Sequence, residues 1–166
     1  MGGTAKGNLV NKGLILLIED DENDVFFFQR AAKHVGVENL ILVARDGREA
    51  VNYLSGKDEF SDRTLHPLPS LVVLDLNLPH RNGLDVLRSL RAQPETHTTL
   101  VVVLTSSAAP QDMHEAYAVG ANSYLIKPTN PEHLGEHLQL IKSYWLGLNQ
   151  TPPADGNKHF GPALEK

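Results

Sequence analysis

The fold is decided by the stretch LVVLDLNLP, which covers residues 71–79. Its first four residues are apolar and include two valines, a pattern typical of a strand that is buried on both faces of a sheet. The strand ends at Asp75, and burying a charged side chain is costly unless another group pairs with it. We therefore expect Asp75 to lie at one end of a buried strand, opposite groups that interact with its carboxylate.

Three further apolar runs, at residues 14–18, 100–104 and 124–126, also end at polar side chains. The residues that follow these runs are Glu19, Asp20, Thr105 and Lys127. In an open parallel sheet the carboxyl ends of the strands share one edge, where such folds place their sites. Carboxylates, a hydroxyl and an ammonium are therefore expected to gather around Asp75.

Helical patterns separate these strands along the chain. A fifth strand is predicted at 40–44, and helices are predicted at about 22–35, 46–54, 82–91, 110–119 and 130–148. In the fourth helix, Met113, Ala116 and Tyr117 are expected to form the buried stripe. Five strands that alternate with five helices predict an α/β fold, doubly wound, with a parallel sheet covered on both faces. The expected domain covers 12–149, between a mobile segment at 1–11 and a tail at 150–166.

The composition excludes several classes of function. The 166 residues carry a net charge of −5, which argues against a broad nucleic-acid-binding surface. The chain contains no cysteine, and therefore no disulfide or thiolate metal site. An apolar run of membrane-spanning length and a signal-type start are both missing from the sequence, so we expect no membrane partner and a cytoplasmic location.

The polar strand ends suit the chemistry of phosphoryl transfer. Adjacent strands lie about 4.8 Å apart, so carboxylates at neighbouring strand ends repel each other unless a cation binds between them. Oxygen ligands favour Mg²⁺, which neutralises charge on a transferring phosphoryl group. Asp75 would then act as the nucleophile, Lys127 as the fixed cation and Thr105 as a hydrogen-bond donor to the phosphoryl group.

Four stretches, at 18–21, 74–79, 104–106 and 117–128, resemble the receiver domain of bacterial response regulators. The resemblance implies a flavodoxin-like sheet of strand order 2-1-3-4-5. It also implies that Asp75 accepts a phosphoryl group from the phosphohistidine of a sensor histidine kinase, with Mg²⁺ as cofactor and Mn²⁺ as its substitute. Such a protein takes part in its own phosphorylation and dephosphorylation but is a signalling protein rather than an enzyme.

The resemblance also implies a role for each site residue. Asp20 and Asp75 would ligate the metal directly, Glu19 through water, and Asn77 through its main-chain carbonyl. Thr105 and Tyr124 would form a switch pair, and Lys127 would be the site lysine. The family further implies a cis bond between Lys127 and Pro128.

Features outside the strand ends indicate which kind of receiver protein this is. No output domain follows the last predicted helix, so we expect a stand-alone receiver. The long connection at 56–69 resembles response regulators that partner phytochrome-type histidine kinases. Trp145 and Leu148 extend an apolar stripe on the last helix, which favours a homodimer through this helix and the tail.

Two alternatives stay open. One is a receiver-like interaction module that no longer takes phosphate. The other is a phosphatase that uses the same nucleophilic aspartate. Hydrolases that resemble the haloacid dehalogenase family require a second aspartate two residues after the nucleophile, and this chain has Asn77 at that position.

Overall fold

Five parallel strands form a single sheet of order 2-1-3-4-5 in the computed structural model, which describes residues 13–151. The strands are β1 (Ile15–Ile18), β2 (Ile41–Ala44), β3 (Leu71–Leu74), β4 (Leu100–Thr105) and β5 (Ser123–Ile126). The order confirms the flavodoxin-like arrangement. The segment at 1–11 and all of the tail at 150–166 except Gln150 and Thr151 fall outside the described residues.

Within these residues, five α-helices cover both faces of the sheet; the first four connect successive strands, and the fifth follows β5. They are α1 (Glu22–His34), α2 (Gly47–Ser55), α3 (Gly83–Ala92), α4 (Pro110–Val119) and α5 (Leu134–Ser143). Side-chain oxygens of Asp21, Asp46 and Asn82 accept backbone N–H groups at the starts of α1, α2 and α3. These caps satisfy N–H groups that the helices themselves leave unpaired, and they start each helix directly after a strand-end loop.

The core consists of two apolar layers, one on each face of the sheet. Alternate residues of each strand point to opposite faces, so Leu16 and Ile18 join the layer beneath α2 and α3, whereas Ile15 and Leu17 join the layer beneath α1 and α5. All the residues of β1, β3 and β4 are buried. The three central strands are therefore rigidly held, and their polar ends are carried at fixed positions.

Three local features differ from the sequence expectations. The last helix begins with a 3₁₀ turn at Pro131–His133 and ends with a π turn at Tyr144–Leu148. Tyr117 is more than half exposed, because its hydroxyl accepts the backbone N–H of Tyr124 instead of the ring entering the core. The peptide bonds of the described residues are all trans, the form that X–Pro bonds favour by about 0.5–1 kcal/mol, so the expectation of a cis bond at Pro128 is wrong.

Within residues 13–151, the helices are too short or too polar to cross a lipid bilayer.

Candidate functional site

The pairing of β1 with β3 places Glu19 and Asp75 side by side. Ile18 is in register with Leu74, and the backbone N–H of Asp75 donates to the carbonyl of Ile18 at 3.0 Å. The next residue on each strand is therefore a carboxylate. Glu19 is 3% exposed and Asp75 is 5% exposed, so two acidic groups are buried at the carboxyl edge of the sheet. Two such carboxylates repel each other unless a proton or a cation neutralises one of them.

Lys127 supplies that cation from the end of β5. Its backbone N–H donates to the carbonyl of Thr105 at 2.8 Å, which continues the β4–β5 ladder to this residue. Its ammonium donates to Glu19 Oε2 at 2.6 Å, Asp24 Oδ2 at 2.7 Å and Asp75 Oδ2 at 2.8 Å. The ammonium of Lys127 thus holds together three carboxylates from β1, α1 and β3.

Burial and charge pull the pKa values at this cluster in different directions. Burial raises the pKa of Glu19 to about 7, and the Asp75 charge adds to this rise, although the hydrogen bond and charge of Lys127 oppose it. Burial alone would lower the pKa of Lys127, but its hydrogen bonds to Asp24, Asp75 and Glu19 outweigh burial and raise that pKa above its usual range. Lys127 therefore stays charged at neutral pH, whereas Glu19 titrates near neutrality in the absence of a metal ion.

A second cluster on the same edge offers oxygen ligands for a metal ion. One carboxylate oxygen each from Glu19, Asp20 and Asp75 lies within 4.8 Å of the others. Glu19 and Asp75 are buried, whereas Asp20 is exposed and reaches the cluster from the loop before α1. Asp75 Oδ1 also accepts the backbone N–H of Asn77 at 3.1 Å, which fixes the carboxylate plane. Three hard oxygen donors without a thiolate fit Mg²⁺ or Mn²⁺.

Thr105 and Tyr124 meet at the loop that follows β4. Thr105 is fully buried, and its hydroxyl accepts a long hydrogen bond from the N–H of Ser107 at 3.4 Å. The hydroxyl of Tyr124 donates to the carbonyl of Ser107 at 2.9 Å, and the ring is partly buried against the core. Burial raises the pKa of Tyr124, which keeps this hydroxyl a donor. Both residues therefore act on one backbone segment, at Ser107.

The same loop is tied to α4 and to the loop that carries Asn77. The hydroxyl of Ser107 donates to Asp112 Oδ2 at 2.5 Å in the first turn of α4. The side-chain amide of Asn77 donates to the Ser106 hydroxyl at 3.4 Å. Ser107 therefore links the loop after β4 to the first turn of α4.

Gly83 shows how closely α3 approaches the loop that carries Asp75. A Cβ atom at this position would lie 2.3 Å from the main-chain oxygen of Asp75 and 2.6 Å from Cα of Leu76. Both atoms belong to the backbone and cannot move aside cheaply. Glycine is thus required for α3 to begin directly beneath the site.

The structure brings together the expected carboxylates and the lysine, and it adds one residue that sequence reasoning missed. Glu19, Asp20 and Asp75 form the acidic cluster, Lys127 binds two of these carboxylates, and Thr105 ends the strand next to β3. The missed residue is Asp24. A helical stripe could have revealed it, because Asp24 lies three and four positions before Phe27 and Phe28, which pack against the core.

Comparison with known proteins agrees with this geometry. The sequence profile of the response regulator receiver domain matches residues 15–139. The chain is 39% identical over 139 residues to the probable methanogenesis regulatory protein FilR2 of Methanothrix harundinacea, covering 84% of this chain and 87% of that protein. It is 34% identical over 141 residues to response regulator Rcp1 of Synechocystis, covering 85% of this chain and 94% of Rcp1.

Solved structures give the same result. The phosphorylated cyanobacterial phytochrome response regulator RcpA superposes with a TM-score of 0.79 at 31% identity, covering 85% of this chain and 99% of RcpA. The Mn²⁺-bound form of Rcp1 superposes with a TM-score of 0.77 at 33% identity, with the same coverage. Since the profile spans the whole sheet and the carboxylate cluster lies at its carboxyl edge, this chain belongs to the response regulator receiver domain family.

Proposed function

We propose that this protein is a phosphoacceptor that receives a phosphoryl group on Asp75 from a sensor histidine kinase and then changes its surface. The observation that carries the proposal is the convergence of buried Glu19, buried Asp75 and Lys127, with 2.6 and 2.8 Å between the ammonium and the two carboxylates. A buried carboxylate beside a fixed cation and further oxygen ligands is what an aspartyl nucleophile requires.

The transfer itself exchanges one bond to phosphorus for another. An oxygen of the Asp75 carboxylate attacks phosphorus, the P–N bond of the donor phosphohistidine breaks, and the imidazole nitrogen keeps the electron pair. Lys127 holds the acceptor carboxylate and offers positive charge to the phosphoryl oxygens. The backbone N–H of Asn77 orients the carboxylate through Oδ1.

The acidic cluster would hold Mg²⁺, with Mn²⁺ as a substitute. Asp20 and Asp75 would bind it directly, Glu19 through water, and Asn77 through its main-chain carbonyl. Bound there, the ion would neutralise charge on the phosphoryl oxygens. The existence of a Mn²⁺-bound form of the relative Rcp1 supports the binding of a divalent metal ion.

The signal would leave the site through Thr105 and Tyr124. The Thr105 hydroxyl is held weakly by the Ser107 N–H at 3.4 Å, so a phosphoryl oxygen nearby would be a stronger partner for it. Movement of Thr105 would shift Ser107, which Tyr124 and Asp112 both hold. The start of α4 would then change position, which alters the surface that a target reads.

A sensor kinase would dock beside α1. Phe26 is 57% exposed there and packs edge-on against Phe27. We propose a phytochrome-type kinase as the partner, because RcpA is named as a phytochrome response regulator. A cytoplasmic location follows from the proposal, since histidine kinases draw phosphate from cytoplasmic ATP.

The end of the chain offers a surface for a second copy. Leu140, Tyr144 and Leu148 are spaced four residues apart on the last helix and are all more than half exposed. We propose that they form a homodimer seam together with the C-terminal tail. Sedimentation of the full chain should show a dimer that Leu140→Glu dissociates; a wild-type monomer with and without phosphorylation would refute this part.

The phosphoacceptor proposal is tested with acetyl phosphate and Mg²⁺. Intact-mass spectrometry should show the addition of one phosphoryl group to the wild type and none to Asp75→Asn, and EDTA should abolish the addition. An unchanged wild-type mass, together with no phosphotransfer from any histidine kinase tested, would favour an interaction module that takes no phosphate.

A further inference from the structure

The ammonium of Lys127 has no spare donor. A lysine ammonium carries three N–H groups, and here each one points to a different carboxylate, on Glu19, Asp24 and Asp75. A phosphoryl group on Asp75 brings three further acceptor oxygens to the same place. At least one of the three existing hydrogen bonds must therefore change when the phosphoryl group arrives.

The three carboxylates differ in how easily they can release the lysine. Glu19 is buried, and its other oxygen accepts the N–H of Asp21 at 3.1 Å, so it is fixed at both oxygens. Asp75 is buried and is the reacting group itself. The Asp24 side chain is 42% exposed and lies in the first turn of α1. Asp24 can rotate into water with little desolvation cost, and the other two cannot.

The charges around Lys127 also favour Asp24 as the carboxylate that releases the ammonium. Glu19, Asp24 and Asp75 all bind one ammonium, and Asp20 lies beside Glu19 and Asp75, so the region is already rich in negative charge. A phosphoryl group adds about −1.5 to −2 more. Asp24 is the one carboxylate bound to Lys127 that lies outside the metal-ligand cluster. Its charge opposes the phosphoryl group without contributing a ligand to the metal ion.

We propose that Asp24 is a positioning residue that competes with the phosphoryl group for the ammonium of Lys127. Phosphorylation of Asp75 breaks the Asp24–Lys127 hydrogen bond and frees the first turn of α1. The inference rests on the proposed function and adds a second route out of the site. This route leads to α1, whereas Thr105 and Tyr124 lead to α4.

The test uses beryllofluoride, a stable mimic of the phosphoryl group, with the full chain and saturating Mg²⁺. Asp24→Asn keeps the size of the side chain and removes its charge, so we expect beryllofluoride to bind about three- to tenfold more tightly. The matched control is Glu22→Gln. Glu22 lies in the same helical turn, its side chain is 88% exposed, and it pairs with Arg45 at 3.8 Å instead of Lys127. The Glu22→Gln variant should therefore bind beryllofluoride with the wild-type affinity.

A second readout separates this role from a general effect on folding. Amide hydrogen exchange in the first turn of α1 should rise in the wild type and in Glu22→Gln when beryllofluoride binds. In Asp24→Asn and Asp24→Ala the exchange should already be high and should not respond. A purely structural role of Asp24 would lower stability and leave beryllofluoride affinity unchanged.

The outcomes are distinct. Equal or weaker binding by Asp24→Asn, with normal binding by the wild type, overturns the role of Asp24 and leaves the phosphoacceptor function intact. Failure of the wild type to bind beryllofluoride or to take phosphate overturns both. If Glu22→Gln binds beryllofluoride as much more tightly as Asp24→Asn does, the proposed role of Asp24 is also overturned, because the effect would then come from net charge alone.

Discussion

The stability of the metal-free protein should fall as the pH rises through neutrality, and Glu19 should be the cause. Burial raises the pKa of Glu19 from 4.5 to about 7 in the folded chain. The unfolded chain ionises Glu19 near its ordinary pKa, so between these values the folded state binds more protons than the unfolded state. The stabilising effect of the proton is complete below about pH 4.5 and is lost as the pH rises through about 7.

The size of the effect follows from the shift. One pKa unit corresponds to about 1.4 kcal/mol, so the full shift of Glu19 amounts to about 3 kcal/mol of unfolding free energy. Glu19→Gln resembles the protonated form and cannot ionise. The variant should therefore match the wild type near pH 5 and exceed its unfolding free energy by about 2–3 kcal/mol near pH 8.

The assay is urea unfolding followed by circular dichroism in EDTA, at pH values from 5 to 8. All other ionisable groups are the same in the two proteins, so their contributions cancel in the difference. Asp20→Asn changes an exposed carboxylate nearby and should leave the slope with pH intact. Saturating Mg²⁺ should flatten the wild-type slope, because a cation favours the ionised carboxylate.

Parallel curves for the wild type and Glu19→Gln would refute the reasoning. They would mean that Lys127, at 2.6 Å, keeps Glu19 ionised throughout the range and that burial does not dominate its pKa.

Four substitutions, at Lys127, Asp75, Asp20 and Gly83, should have measurable effects on the metal-free protein. Lys127→Met should lower the unfolding free energy by about 3–5 kcal/mol in urea melts, because it leaves buried carboxylates without their cation; a loss below about 1 kcal/mol would contradict this. Asp75→Asn and Asp20→Asn should each raise the thermal midpoint, since each removes one of the clustered negative charges; lower midpoints for both would show that repulsion is not the dominant effect. Gly83→Ala should cost about 1–3 kcal/mol, because its Cβ would meet backbone at 2.3 Å, whereas Gly135→Ala, with its nearest contact at 3.9 Å, should be neutral or stabilising; equal effects of the two would refute the packing argument.

Much of the site could be predicted because it follows from strand ends. Asp75 and Lys127 each come directly after a short apolar run, and a parallel sheet carries such residues to one edge whatever the details of packing. Asp24 could not be predicted in this way. It lies on a helix, 103 positions from Lys127 along the chain, and its contact depends on the angle at which α1 packs against the sheet.

Tyr117 is the opposite case, a residue whose burial the sequence predicts and the structure does not show. Its spacing from Met113 and Ala116 predicts a buried ring, but a helix surface is wider than the stripe it buries. The hydroxyl of Tyr117 accepts a hydrogen bond from the backbone N–H of Tyr124, and the side chain is more than half exposed.

The sequence by itself determined the alternation of strands and helices and the polar residue that ends each strand, because hydrophobic periodicity and helix caps act over short distances. The tertiary structure alone decided that the ammonium of Lys127 binds three carboxylates at once and that Glu19 titrates near neutrality. Both depend on burial and on distances between residues far apart in the chain, which arise only when the helices pack against the sheet.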